Sequence, residues 1–140
     1  MRYIRSLIFV VAVVAVNAVF PQTKNYSVVL HGGAGNFDSK TFTPAQKSNY
    51  DHFFEDVLAM ADSMALAGDS AIKIVTAVIV KMENNPMFNA GRGAVLTDDG
   101  IAELDASVMD GTTLKAGAVA GVRTIKNPIL AALKVMTNSQ

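Results

Sequence analysis

No cysteine occurs in the sequence, which excludes a disulfide framework, a thiolate metal site and a cysteine nucleophile. Net charge is absent too: twelve basic side chains balance twelve acidic ones. There is no global field to gather nucleic acid or an anionic membrane surface, so partners have to be argued from local sites. A long apolar run is missing as well. Residues 7–16 are continuously apolar, but Asn17, Pro21, Gln22 and Lys24 interrupt the pattern, short of the roughly 18 residues a spanning helix needs. No stable membrane span is expected.

That run follows Arg2 and Arg5 and ends at Val16-Asn17-Ala18. A positive start, an apolar stretch and small residues at its end are the pattern of a secretory signal peptide. The expected organisation is a signal peptide over residues 1–18, a mature N-terminal segment over 19–26 and a domain over 27–140, exported to the periplasm or medium. With 140 residues, about half of them apolar, the chain accommodates one globular domain and no repeat.

Ser27-Val28-Val29-Leu30 reads as a short strand running into the loop His31-Gly32-Gly33-Ala34-Gly35. Thr43-Pro44-Ala45-Gln46 combines a hydroxyl cap, proline at the first helical position and glutamine three residues past the cap, a capping box. Phe53, Phe54, Val57, Leu58, Ala61, Met64 and Ala65 recur at helical spacing until Gly68. Asp69 or Ser70 can cap a second helix. Its Ile72, Val75, Ala77, Val78, Ile79 and Met82 are apolar nearly all round, which places it between layers.

Residues 94–97 and 102–109, separated by Asp98-Asp99-Gly100 and Ile101, carry a hairpin signal. Residues 116–125 supply another strand, and Asn127-Pro128 begins a last helix. The order β, α, α, β, β, β, α predicts a mixed α/β (α+β) layered domain with a largely antiparallel sheet.

Several groups could carry chemistry. The Gly32–Gly35 loop exposes backbone donors, yet it lacks both the lysine ending of a phosphate loop and the third glycine of a dinucleotide loop. His31 would need a partner to act as a base; a loop-shaping hydrogen bond demands less. Glu103 and Asp105 project to one face of a strand. They suit acid and base roles or a cation, or else the solvent side of the sheet. Asp110 follows at a turn before Gly111. The stretch from Met82 to Gly93 should expose carbonyls to a hard cation, or else be held by asparagines bonding their own backbone.

Four blocks, taken together, resemble the plant-type asparaginase and isoaspartyl peptidase family of N-terminal-nucleophile hydrolases. They are Val28-Val29-Leu30-His31-Gly32-Gly33-Ala34-Gly35, the run from Asn85-Pro86-Met87-Phe88-Asn89-Ala90-Gly91-Arg92-Gly93 to Thr97, Glu103-Leu104-Asp105-Ala106-Ser107-Val108-Met109-Asp110-Gly111, and Ala116-Gly117-Ala118-Val119-Ala120. They occur in family order.

The resemblance implies the N-terminal portion of an αββα sandwich, incomplete without a second subunit, made as a precursor that cuts itself to free a threonine nucleophile. That threonine would lie beyond Gln140; neither Thr97 nor Thr112-Thr113 has the surroundings of a processing site. No catalytic residue is therefore expected in this chain, which should be inactive alone. Asn89 would face the nucleophile and help place substrate, and Gly32 and Gly33 would bear on strain at the cleavage point.

Met82, Glu83, Asn85, Phe88, Ala90 and Arg92 resemble the carbonyl set of a structural sodium loop; no cofactor is implied for catalysis. The substrate would be L-asparagine or a β-aspartyl peptide, and the assembly a homo-oligomer of processed heterodimers. His31-Gly32-Gly33-Ala34-Gly35 favours this branch over the glycoasparaginase branch. The alternative is a degenerate binding module with no activity.

Overall fold

The computed structural model describes residues 25–33 and 42–138. The signal-peptide segment, Ala34, Gly35 and Gln140 lie outside them.

Helix α1 spans Pro44–Leu66 and starts as its sequence dictates. Thr43 is extended at φ −66° and ψ 153°. Its hydroxyl accepts from the Gln46 N–H at 3.2 Å, while Gln46 Oε1 accepts from the Thr43 N–H at 2.9 Å. The reciprocal pair satisfies two of the helix's orphan donors. At the other end Gly68 turns left-handed, φ +83°. Its N–H donates to the Ala65 carbonyl and that of Asp69 to the Met64 carbonyl, a Schellman closure that needs glycine at this position.

Helix α2 spans Ala71–Glu83 behind Ser70 and is the central element. Its Ile74, Val78 and Met82 join Val57 and Ala61 of α1 and Phe88 in one buried cluster. Its Ile72, Ile79 and Val80 pack against a second cluster of Val108, Ile129, Ala132 and Met136. The expected placement between layers holds, except that Val75 faces solvent.

Strand β1, Leu104–Met109, pairs antiparallel with β2, Ala116–Val122. The turn joining them holds Leu114 at φ +58°. Helix α3, Pro128–Asn138, lies on this pair so closely that a Cβ on Gly117 would stand 2.2 Å from the Ala132 carbonyl oxygen. Glycine here lets helix backbone meet strand backbone.

Two expected strands do not form as such. Residues 27–30 alternate between exposed and half-buried, with Val28 and Leu30 packed on the first cluster and Val29 90% exposed. The period of two is there, but among the described residues no strand lies beside it to complete a ladder. Residues 94–97 shrink to a single bridge, Leu96 with Ala102, because the turn closes tightly: the Thr97 N–H donates to the Ile101 carbonyl and Gly100, at φ +74°, donates to the Thr97 carbonyl. The described architecture is thus mixed α+β, with three helices and one two-stranded sheet. No helix among the described residues is long and apolar enough to cross a membrane.

Candidate active-site cleft

Three separate parts of the sequence meet at a cleft of about 730 Å³. His31, Gly32 and Gly33 form one lip, Asn89 and Ala90 a second, and Asp105, Ala106 and Ser107 of β1 a third; Ile79, Met82, Phe88 and Ile129 also line it. The positions singled out as substrate-supporting, Gly32, Gly33 and Asn89, are therefore brought to one place.

Geometry favours glycine at both positions. A Cβ on Gly32 would come within 3.0 Å of the Phe54 ring and 3.5 Å of Phe88, and Gly33 sits at φ +113°, where side chains are strained. The Gly33 N–H donates to His31 Nδ1 at 3.1 Å. His31 thus shapes the loop, the less demanding of its two readings.

The second lip is the loop between Asn84 and Gly93. Phe88 anchors it, 3% exposed, with ring centroids 5.0 Å from Phe53, 5.9 Å from Phe54 and 6.0 Å from Tyr50. The Tyr50 and Phe54 rings meet Phe88 edge to face and Phe53 meets it tilted, and such pairs add to the area they bury. Tyr50 donates its hydroxyl hydrogen to the Met87 carbonyl at 3.0 Å. Within the loop, Asn85 Oδ1 accepts from the Met87 N–H at 3.0 Å and Asn89 Oδ1 from the Val95 N–H at 2.9 Å. With the Asn89 oxygen turned to the Val95 N–H, its NH₂ is a donor that can be offered to a carbonyl-bearing ligand.

A short 3₁₀ turn, Gly91–Gly93, folds this loop back on itself. Gly91 is left-handed at φ +52°, and a Cβ there would lie 2.4 Å from the Glu83 carbonyl oxygen; one on Gly93 would lie 2.2 Å from that of Phe88 and 2.7 Å from that of Pro86. Carbonyls therefore crowd the inside of the turn. The carbonyls of Met82, Asn85, Phe88 and Ala90 each accept one loop N–H, from Asn85, Phe88, Ala90 and Gly93 in turn. The Met82 carbonyl also accepts from the Asn84 N–H, while those of Asn85, Phe88 and Ala90 keep a second lone pair. Among the described residues no group of three or more histidine or carboxylate side chains could hold a metal, so an ion here would depend on neutral carbonyls. That donor set fits a hard cation.

The carboxylates ahead of β1 and on it both have partners on or beside β2. Glu103 pairs with Arg123. Asp105 Oδ1 accepts from the Gly121 N–H at 2.7 Å, across a bulge where Leu104 faces Val122 but Ala106 faces Val119. Gly121, at φ +62°, supplies the left-handed residue that such a bulge requires. Both carboxylates make the bonds of the structural reading, and Asp105 in addition lines the cleft. Asp110 closes the β1–β2 turn: its Oδ1 accepts from the Thr112 N–H at 2.9 Å and its Oδ2 from the Thr113 hydroxyl at 3.1 Å. The Thr112 backbone bond, ahead of the threonine side chains, holds its carboxyl below the usual value.

Sequence reasoning passed over two residues that build the site. Tyr50 lies in an exposed stretch of α1 with nothing local to mark it. Glu83 was singled out for its carbonyl, while its side chain, 4% exposed, reaches the start of α3.

The family model described as Asparaginase matches residues 24–140. An isoaspartyl peptidase of Salmonella typhimurium is 46% identical over 112 residues, covering 80% of this chain and 36% of its own length. A putative isoaspartyl peptidase/L-asparaginase of Dictyostelium discoideum is 37% identical over 116 residues, 83% of this chain and 34% of its own. A plant-type L-asparaginase of Pyrococcus abyssi is 42% identical over 116 residues, 79% and 34% respectively. The chain spans about a third of the length of these relatives.

Proposed function

Because the chain belongs to the asparaginase family, we propose that it supplies one wall of the active site of a threonine-nucleophile amidohydrolase acting on L-asparagine or β-aspartyl peptides. The carrying observation is the cleft in which Gly32, Gly33 and Asn89 meet. The nucleophile belongs to a second subunit, freed by autoproteolysis and packed against this chain to complete the αββα sandwich, with processed heterodimers pairing further.

A threonine hydroxyl is a weak nucleophile unless a base removes its proton, and a freed α-amino group on the same residue can do so. The oxygen would attack the substrate's side-chain carbonyl, ammonia or the amino-terminal nitrogen of a peptide would leave, and water would release aspartate from the ester. The Asn89 NH₂ would hold a substrate or nucleophile oxygen in place, a positioning role. The loop from Met82 to Arg92 would carry a sodium ion on the carbonyls of Met82, Glu83, Asn85, Phe88, Ala90 and Arg92, supplying rigidity to this wall. Arg2, Arg5 and the apolar run behind them support export.

The test begins with the coding sequence after the Gln140 codon. A linker followed by Gly-Thr in frame supports the two-subunit reading; the purified 140-residue chain should then release neither ammonia from L-asparagine nor aspartate from a β-aspartyl dipeptide. Turnover by this chain alone would overturn the assignment of the nucleophile to another segment.

A further inference from the structure

Glu83 stands where local rules oppose a carboxylate. It is the last residue of α2, beside the partial negative charge of the helix's unpaired carbonyls, and it is buried. Yet both oxygens have partners. Oε1 accepts from the Ile129 N–H at 2.9 Å and Oε2 from Asn127 Nδ2 at 3.0 Å.

Ile129 is the second residue of α3, so its N–H is one of the donors no helical carbonyl can reach, and Pro128 before it has none. Asn127 occupies the N-cap position of the sequence, but its amide nitrogen turns to Glu83 and, at 3.4 Å, to Asn84 Oδ1. Helix α3 is thus capped by a side chain of α2. The positive end of one helix meets the carboxylate that the negative end of the other disfavours. Meanwhile the main chain of Glu83 touches the far limb of the next loop, at Gly91.

We propose that Glu83 is a positioning residue for the cleft. Its side chain, clamped on the start of α3, fixes where the loop of residues 84–93 departs, and its backbone contact with Gly91 carries that constraint to Asn89. The proposed function enters only in what Asn89 then does; the constraint itself is independent of turnover.

The experiment is site-resolved amide hydrogen exchange on the whole chain, comparing wild type with Glu83→Gln, Asn127→Ala and a control, Leu133→Ala, which loosens α3 from within. Glu83→Gln should speed exchange at Ile129 and Leu130 and also at Phe88, Ala90 and Val95 by about tenfold or more, as loss of a charge-assisted bond implies. The α1 amides should keep their wild-type rates. The control should speed α3 and leave the loop as in wild type.

Acceleration of α3 alone by Glu83→Gln, or equal acceleration of every element, would overturn the proposal. Should that variant not fold, Asn127→Ala removes one donor and keeps the carboxylate. Loop amides as protected as in wild type would then count against it. No readout requires catalysis, so an error in the assigned reaction would leave these results unchanged.

Discussion

Leu114 is the one described non-glycine residue with positive φ, and it is 69% exposed. A left-handed backbone costs an ordinary side chain about 1–2 kcal/mol, and little packing is lost by removing this one. Leu114→Gly should therefore stabilise the chain by about 0.5–1 kcal/mol after allowing for the freer unfolded state, read as a rise in thermal midpoint. Asp110, in the same turn, has its carboxyl lowered by the Thr112 N–H bond. A depressed folded value means stability present above the unfolded value and lost as pH falls through the folded one. Wild type should outlast Asp110→Asn in thermal melts above the ordinary carboxylate range, and the gap should close in acid. An unchanged gap would show that Asp110 does not act through its charge. The sequence marks Asp110 at a turn before Gly111, where it stands, whereas nothing in Leu114 announces a left-handed conformation that the hairpin's geometry imposes on it.

At the scale of elements, local chemistry was legible and distant chemistry was not. The Thr43-Pro44-Ala45-Gln46 box and the stop at Gly68 are written within a few residues of the ends they control, and both appear as expected. The alternation in residues 27–30 is equally local and equally present, but a strand also needs a neighbour, which no property of Val28 or Leu30 specifies. The cap of α3 was read as Asn127 because the sequence shows only adjacent residues; the actual acceptor comes from α2. The close seating of α3 on β2 has the same character, since Gly117 looked like one small residue in a strand. Gly117→Ala should push helix from strand, the new methyl meeting backbone at Ala132 and Met136. A loss of about 1–3 kcal/mol is expected by chemical denaturation; a loss below about 0.5 kcal/mol would mean the pair relaxes without strain.

Across the whole molecule, two clusters share α2, and Ile79 packs against both. Val57→Ala and Ile129→Ala, one in each cluster, should add to within about 0.5 kcal/mol, whereas Ile79→Ala should couple to each of them. Double-mutant cycles decide this, and independence of Ile79 from either partner would mean that the clusters are not joined there. The candidate site, Gly32, Gly33 and Asn89, was legible through its resemblance to a family; that these positions converge was not, because Gly33 and Asn89 stand 56 positions apart in the sequence and meet through the packing of α1, α2 and the ring of Phe88. The cap that Glu83 lends to α3 also bears on the order in which the chain acquires structure. An 11-residue helix is too short to persist unaided, and its acceptor lies 46 positions upstream. The β1–β2 hairpin can zip from its own turn, but α3 has to wait for α2 to arrive. Docking of α3 is then expected to come late, and Glu83→Gln should speed unfolding more than it slows folding, as stopped-flow folding and unfolding rates of variant and wild type would show.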